Sequence, residues 1–190
     1  IVTPPLSDMD DLLASLDEAS VKYSIIAPSD KRTSSSYVSS NDYEASYAMT
    51  HEIISKGHTN IGFVRGHHKH SASLLRYQGF FDALAQMNIP VNGDWIKQGN
   101  FSFDSGFDAG IKIMGSSMRP SVIFASNDYM AAGVMKAAQM KGIKIPSELC
   151  IVGFDDSPIA EQLWPSLSTI RQPVKEMACH ATKLLLGTVD

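Results

Sequence analysis

Three side chains with complementary hydrogen-bonding chemistry lie in junctions that follow apolar runs of the kind that form buried strands. They are Arg76, Asn127 and Asp155. The carboxyl ends of parallel strands share one edge of a sheet, and ligands bind at that edge in open α/β sheets. A guanidinium donates through a planar fork, a carboxylate accepts, and an amide does both. The set therefore predicts a site for a small, hydroxyl-rich molecule.

The elements that must position these residues alternate between strand and helix patterns, which predicts an α/β fold with a parallel sheet covered by helices on both faces. Predicted strands lie at 23–27, 61–64, 95–99, 121–124 and 149–152; predicted helices lie at 8–20, 41–57, 73–87, from Ser102 onward, 127–141 and 173–186. Segment 28–40, rich in Ser, Lys and Asp, is predicted to be a loop.

The register of the 73–87 helix bears on function. Tyr77, Phe80, Phe81 and Leu84 are its predicted buried residues, and Arg76 lies one turn before Phe80 on the same face. A guanidinium on that face costs free energy unless it has partners. Two interpretations stay open: Arg76 contacts a ligand in a cleft, or it forms a buried ion pair.

Composition narrows the class of protein. The chain has 190 residues, 44% of them hydrophobic and 19% charged, with a formal net charge of −4. These values are typical of a globular protein, and no Lys/Arg-rich run indicates nucleic-acid binding within this stretch. No apolar run reaches membrane-spanning length and no secretory leader is visible, so we expect no membrane association and a cytoplasmic location.

Two further features concern the termini and the thiols. The start, 1–5, resembles the tail of a strand, so we expect the chain to be a fragment, or the ordered remainder, of a longer protein. Cys150 and Cys179 are expected to be buried free thiols rather than a disulfide.

Several polar clusters have a structural interpretation beside a functional one. Three histidines within 67–70 could suggest a metal, but no Cys or carboxylate adjoins them, so a polar loop is favoured and no metal or cofactor is predicted. Asp128 could contact a ligand, although capping of the free N–H groups of its helix is favoured. Asp155 and Asp156 follow a buried strand, and Asp155 is the one expected to face the site.

Five motifs, in order along nearly the whole chain, resemble those of LacI/GalR-family transcriptional regulators. They lie at 57–63, 76–80, 126–131, 151–156 and 165–173. The resemblance implies a periplasmic-binding-protein-like type I fold with two doubly wound parallel-sheet subdomains and an effector in the cleft between them. It assigns 1–40 and 173–190 to an incomplete N-terminal subdomain, 41–169 to the C-terminal subdomain, and 170–172 to a crossover.

The resemblance also implies which side chains contact the effector. They are Arg76, Asn127 and Asp155 as polar contacts, Phe101 as an aromatic surface, and His70 as a further polar contact. Ala72 lacks the polar group that other members place there, and 27–30 reads Ala-Pro-Ser-Asp where many members have an Asp facing the ligand. The effector is therefore left as a sugar, a sugar phosphate or a nucleobase-like molecule.

These features predict the effector-binding and dimerisation domain of a bacterial regulator. It would be a homodimer that controls operator DNA through a helix-turn-helix absent from this chain. A solute-binding protein for sugar transport or chemotaxis is the alternative. An enzyme such as a glycosidase would need two carboxylates from Asp128, Asp155 and Asp156. No nucleophile elbow or phosphate-binding glycine loop is present, so we predict that the protein is not an enzyme.

Overall fold

The computed structural model describes residues 1–28 and 36–188, which fall into two compact units. Unit 1 comprises Ile1–Asn41, Lys69–Ala72 and Pro173–Asp190, and unit 2 comprises Asp42–His68 and Ser73–Gln172. Both are built on parallel sheets, which confirms the predicted α/β class. Among the described helices, none is long and apolar enough to cross a membrane.

Unit 1 has a two-stranded parallel sheet of β1 (Ser24–Ile26) and β2 (Ser36–Val38). The helices α1 (Asp10–Glu18) and α7 (Val174–Leu186) accompany it, and α7 packs on both strands. Its small core contains Val2, Leu13 and Ile25.

The prediction of a loop over 28–40 is wrong at β2. The short strand escaped detection because only Tyr37 and Val38 have strand-favouring side chains, whereas pairing with β1 supplies the backbone hydrogen bonds. Residues 29–35 of that predicted loop lie outside the described residues.

Unit 2 contains a four-stranded parallel sheet in the order β4-β3-β5-β6. Its strands are β3 (Ile61–Arg65), β4 (Ile96–Gln98), β5 (Val122–Ala125) and β6 (Cys150–Val152). The helices are α2 (Asp42–Ser55), α3 (Ser71–Gln86), α4 (Phe103–Ile113), α5 (Asp128–Met140) and the short α6 (Pro158–Gln162), of which α6 was not predicted. The first two residues of α3 belong to unit 1.

The central strand β5 is buried along its whole length because both faces of this sheet are covered. On one face Ile123 packs into a core with Ile113 and Val134 of α4 and α5. On the other face Phe124 packs with Phe63 and Phe80. The two cores hold the carboxyl ends of the strands in a common edge, where the candidate site lies.

Two predictions about burial are wrong. Phe81 is 42% exposed although Phe80 and Leu84 are buried. The face of α3 that packs on the core therefore includes fewer residues than the apolar sequence of the helix predicts. Both cysteines are free, as expected, but Cys179 is exposed and Cys150 is only partly buried.

Beside the apolar core that α2 and α3 share, one part of the seam between these helices is polar and tight. Asp42, Ser46 and Thr50 recur every four residues of α2 and are all buried. Ser46 Oγ donates to the backbone oxygen of Arg76 at 2.6 Å. At Gly79 a β-carbon would overlap the backbone of Tyr43, so the two helices approach each other as closely as glycine allows. This seam places the start of α2 beside Arg76.

Candidate functional site

An ion-paired arginine forms the centre of the site. Arg76 is buried, its Nε donates to Asp42 Oδ1 at 2.7 Å, and both side chains are about one-twentieth exposed. Its Nη1 donates to the backbone oxygen of Ser126 and lies 3.4 Å from Asp155 Oδ1. The guanidinium carbon sits 3.7 Å from the centre of the Phe154 ring, within cation–π range. Arg76 is thus held on three sides.

One nitrogen of the same guanidinium is uncommitted. Within the part of the chain that the structure describes, Arg76 Nη2 makes no hydrogen bond, and Asp155 Oδ2 accepts none. The site therefore offers a fixed donor and an acceptor on two groups that already contact each other. Of the two interpretations of Arg76 from the sequence, the structure shows the buried ion pair, and contact with a ligand stays a prediction.

Asp155 occupies the loop that follows β6, with φ at +118° and Asp156 next to it at +56°. Backbone hydrogen bonds hold this strained turn: Asp155 N donates to Ile170 O at 2.8 Å, and Gln172 N donates to Asp155 O at 3.2 Å. Gln172 Nε2 also donates to Asp155 Oδ1 at 2.7 Å. The turn is thereby fastened to the segment that leads into Pro173 and α7.

Burial raises the pKa of the Asp155 carboxyl from 3.8 to about 6. The positive charge of Arg76 and the hydrogen bond from Gln172 both lower this pKa, yet they do not offset the loss of water. The reason is geometric, because Arg76 lies nearer to Asp42 and shares its Nη1 with Ser126. Asp155 is a carboxylate that a hydroxyl donor would stabilise.

Phe101 and Asn127 adjoin this pair. The centre of the Phe101 ring lies 6.0 Å from the guanidinium carbon of Arg76, and its backbone is left-handed, with φ at +71°. Asn127 Nδ2 donates to Phe101 O at 3.0 Å, while its Oδ1 accepts from Met130 N at 2.9 Å and caps α5. Gly66 lies beneath the ring, since a β-carbon there would overlap Phe101. Asn127 thus holds Phe101 in place.

Asp128 does not play either role considered from the sequence. The cap of α5 is Asn127, and the Asp128 carboxylate is fully buried. Its Oδ2 accepts from the backbone N and the hydroxyl of Ser157, at 2.7 and 2.9 Å, and its Oδ1 accepts from the hydroxyl of Thr169. Asp128 therefore fastens the loops after β6, and the expectation of capping is wrong.

These contacts also bear on the glycosidase alternative. Asp128 is consumed by three hydrogen bonds, and Asp156 pairs with Arg171. Both carboxylates therefore have partners within the protein, whereas general acid–base work on a glycosidic bond needs two carboxyl groups that act on the substrate.

The remaining predicted positions fall elsewhere or outside the described residues. His70 and Ala72 belong to unit 1, whereas Arg76, Phe101, Asn127 and Asp155 belong to unit 2. The departure at 27–30 lies outside the described residues from position 29 onward. Across residues 1–28 and 36–188, no group of three His, Cys, Asp or Glu side chains could hold a metal ion.

Sequence reasoning missed three contributors: Asp42, Gly66 and Gln172. The repeat of polar residues through Asp42, Ser46 and Thr50 was a detectable signal, because a four-residue period marks one face of a helix. Gly66 and Gln172 left no such signal, since their contacts depend on distant segments.

Comparison with known proteins gives this geometry its context. The family described as periplasmic binding protein-like domain matches residues 50–190. A sugar-binding transcriptional regulator of the LacI family from Escherichia coli, complexed with phosphate, superposes with a TM-score of 0.87 and 31% identity, covering 100% of this chain and 68% of that chain. The chain belongs to the LacI/GalR family.

Other LacI/GalR members agree. The HTH-type transcriptional repressor PurR of Vibrio cholerae serotype O1 is 38% identical over 149 residues, which are 78% of this chain and 44% of PurR. A LacI-family regulator from Enterococcus faecium with bound ribose shares 26% identity at a TM-score of 0.82, covering 94% of this chain and 66% of that chain. This LacI/GalR chain spans less than half the length of that curated relative, and its predicted fold class is confirmed.

Proposed function

We propose that this chain is the effector-binding part of a bacterial LacI-family transcriptional regulator. The observation that supports it most directly is the pair formed by Arg76 and Asp155, which leaves Nη2 as an oriented donor and Oδ2 as an acceptor. A vicinal diol or a ring nitrogen beside an N–H presents the matching acceptor and donor. The ring of Phe101 would cover the apolar C–H face of a sugar or stack on a base.

The proposed ligand contacts are Arg76 and Asp155, with Phe101 as the covering surface and Asn127 and His70 as further polar contacts. Asn127 already uses both of its polar atoms inside the protein, so it serves the site chiefly by holding Phe101. The role of His70 rests on the resemblance alone.

A link between ligand and regulation is built into the loop after β6. Asp155 accepts from Gln172, the last residue of unit 2, and the next residue is Pro173 at the start of α7 in unit 1. A ligand that engages Asp155 changes the contacts of this connecting segment. It regulates only to the extent that it binds two states with different affinity, typically by about 1–3 kcal/mol.

DNA binding, dimerisation and a cytoplasmic location belong to the parent protein. The matched relatives are regulators, PurR of Vibrio cholerae being named an HTH-type transcriptional repressor. We propose by analogy that a segment outside this chain binds operator DNA, that the parent acts as a homodimer, and that it catalyses no reaction. The same relatives disfavour the solute-transport alternative.

The first experiment compares two neighbouring carboxylates. Isothermal titration and thermal shift on the full-length parent would use D-ribose, D-glucose, D-ribose 5-phosphate and adenine. A ligand at one hundred times its Kd stabilises the protein by about 2.7 kcal/mol. We expect at least one probe to bind, Asp155→Asn to weaken it by more than about tenfold, and Asp156→Asn to leave it unchanged.

A second readout concerns regulation. Genomic fragments captured by the full-length protein should be released, or held more tightly, when the bound probe is added. No binding by any of the four probes, or equal binding by wild type and Asp155→Asn, would contradict the proposed function.

A further inference from the structure

Two carboxylates surround the one guanidinium of the site. Asp42 Oδ1 lies 2.7 Å from Arg76 Nε, and Asp155 Oδ1 lies 3.4 Å from Arg76 Nη1. Asp42 and Arg76 are both almost fully buried, where water screens charge poorly. The positive charge of Arg76 is therefore neutralised within the protein before any ligand arrives.

The other charges near the strand ends do not restore a positive site. Asp128 is buried and adds negative charge to the surroundings of Asp155, as does Asp42. Arg65, the last residue of β3, lies with its guanidinium carbon 4.4 Å from the centre of the Tyr77 ring. It makes no ion pair within the part of the chain that the structure describes. Of the charges that act on Asp155, the carboxylates of Asp42 and Asp128 oppose the single guanidinium of Arg76.

We propose that Asp42 is a specificity-determining residue that makes the site selective for uncharged, hydroxyl-rich ligands over their phosphorylated forms. This rests on the proposed function of the same site. Asp42 engages Nε and leaves Nη2 as a hydrogen-bond donor with little net charge to offer an anion. A phosphate placed at Nη2 would also lie near the Asp155 carboxylate, which contacts the same guanidinium. Repulsion between the two negative charges would weaken binding of the phosphate.

The substitution Asp42→Asn removes the negative charge of this side chain while nearly preserving its size and shape. An asparagine oxygen can still accept from Arg76 Nε, so the arginine keeps its orientation while the buried negative charge is lost. The matched control is Asp94→Asn, which removes one negative charge from an exposed residue at the surface of the same unit. Any general effect of net charge appears in both variants.

The experiment titrates full-length protein with two matched pairs: D-ribose and D-ribose 5-phosphate, and D-glucose and D-glucose 6-phosphate. Titrations run at pH 7.5, above the pKa of Asp155, at low and at high salt. For the pair that binds, we expect wild type to favour the neutral member by at least about tenfold. Asp42→Asn should reduce this ratio by at least about tenfold, and Asp94→Asn should not change it.

The outcomes distinguish a failure of this inference from a failure of the proposed function. If the wild-type protein binds a phosphorylated sugar as tightly as the neutral sugar, the proposed role of Asp42 is wrong while the proposed function stands. This result does not depend on whether any variant folds. An unchanged ratio in a folded Asp42→Asn protein also overturns it. A protein that binds neither member of either pair overturns the inference. If it also fails to bind adenine in the first experiment, the proposed function is overturned as well.

Discussion

The α-carbon of Gly66 lies directly beneath the aromatic ring of Phe101, so close that the ring occupies the volume a β-carbon would need. Phe101 is held there in a left-handed backbone conformation, with its carbonyl oxygen bound by Asn127 Nδ2. Glycine at 66 is therefore a condition for the position of the ring. The relationship makes the site sensitive to a residue that contacts no ligand in our proposal.

Gly66→Ala should weaken ligand binding while leaving the fold intact. The new methyl group displaces the ring of Phe101 and removes a stacking contact, and such contacts contribute about 0.5–1.5 kcal/mol, or roughly two- to tenfold in Kd. Isothermal titration measures the loss. Gly93→Ala is the control, because nothing lies within 4 Å of its added carbon. Equal affinities in the two variants would show that Phe101 does not touch the ligand.

Asp128→Ala should destabilise the protein by about 2–4 kcal/mol, since it removes a fully buried acceptor and leaves the partly buried donors of Ser157 and Thr169 without it. Urea denaturation measures the free energy of unfolding. Asp104→Ala is matched, because Asp104 also lies in the first turn of a helix but is exposed; its cost should stay below about 1 kcal/mol. A small, equal effect of both changes would mean that Asp128 acts only on the helix dipole.

Asp155→Asn should stabilise the free protein at pH 7.5, most visibly as a raised Tm. Folding raises the pKa of this carboxyl from 3.8 to about 6, so between these values the native state binds more protons than the unfolded state. Stability from this group therefore falls as pH rises through that window and stays lower above it. The side chain is 29% exposed, so we expect a gain of about 1–2 kcal/mol at most.

The pH profile of that variant provides its check. The difference in Tm between Asp155→Asn and wild type should shrink as pH falls from 7.5 to 5, because wild-type Asp155 becomes protonated. Asp156→Asn removes the adjacent carboxylate, and we expect no such pH-dependent gain. A stabilising effect that persists unchanged at pH 5 would count against desolvation of Asp155 as the cause.

Local sequence patterns were enough for the architecture and for part of the site. Apolar runs and helical periodicity located nearly every strand and helix of unit 2, because burial on a sheet or a helix face imposes a short-range repeat. The same patterns placed Asn127 and Asp155 at strand ends and Arg76 near the start of a helix, and the structure brings the three side chains into one neighbourhood through Phe101 and Ser126. The short strand β2 was missed because its three residues are too few for a period.

Tertiary structure alone decided how each polar residue is used. Asp42 and Arg76 are 34 positions apart and Asp128 and Thr169 are 41 apart, so no local sequence pattern predicts either contact. The sequence by itself determined the family, most of the elements and the approximate positions of Arg76, Asn127 and Asp155. Packing of α2 against α3, and of the loops after β6, decided which of those side chains are consumed by buried partners and which keep a free donor or acceptor. Buried polar groups must find partners wherever the fold supplies them, and that choice is made in three dimensions.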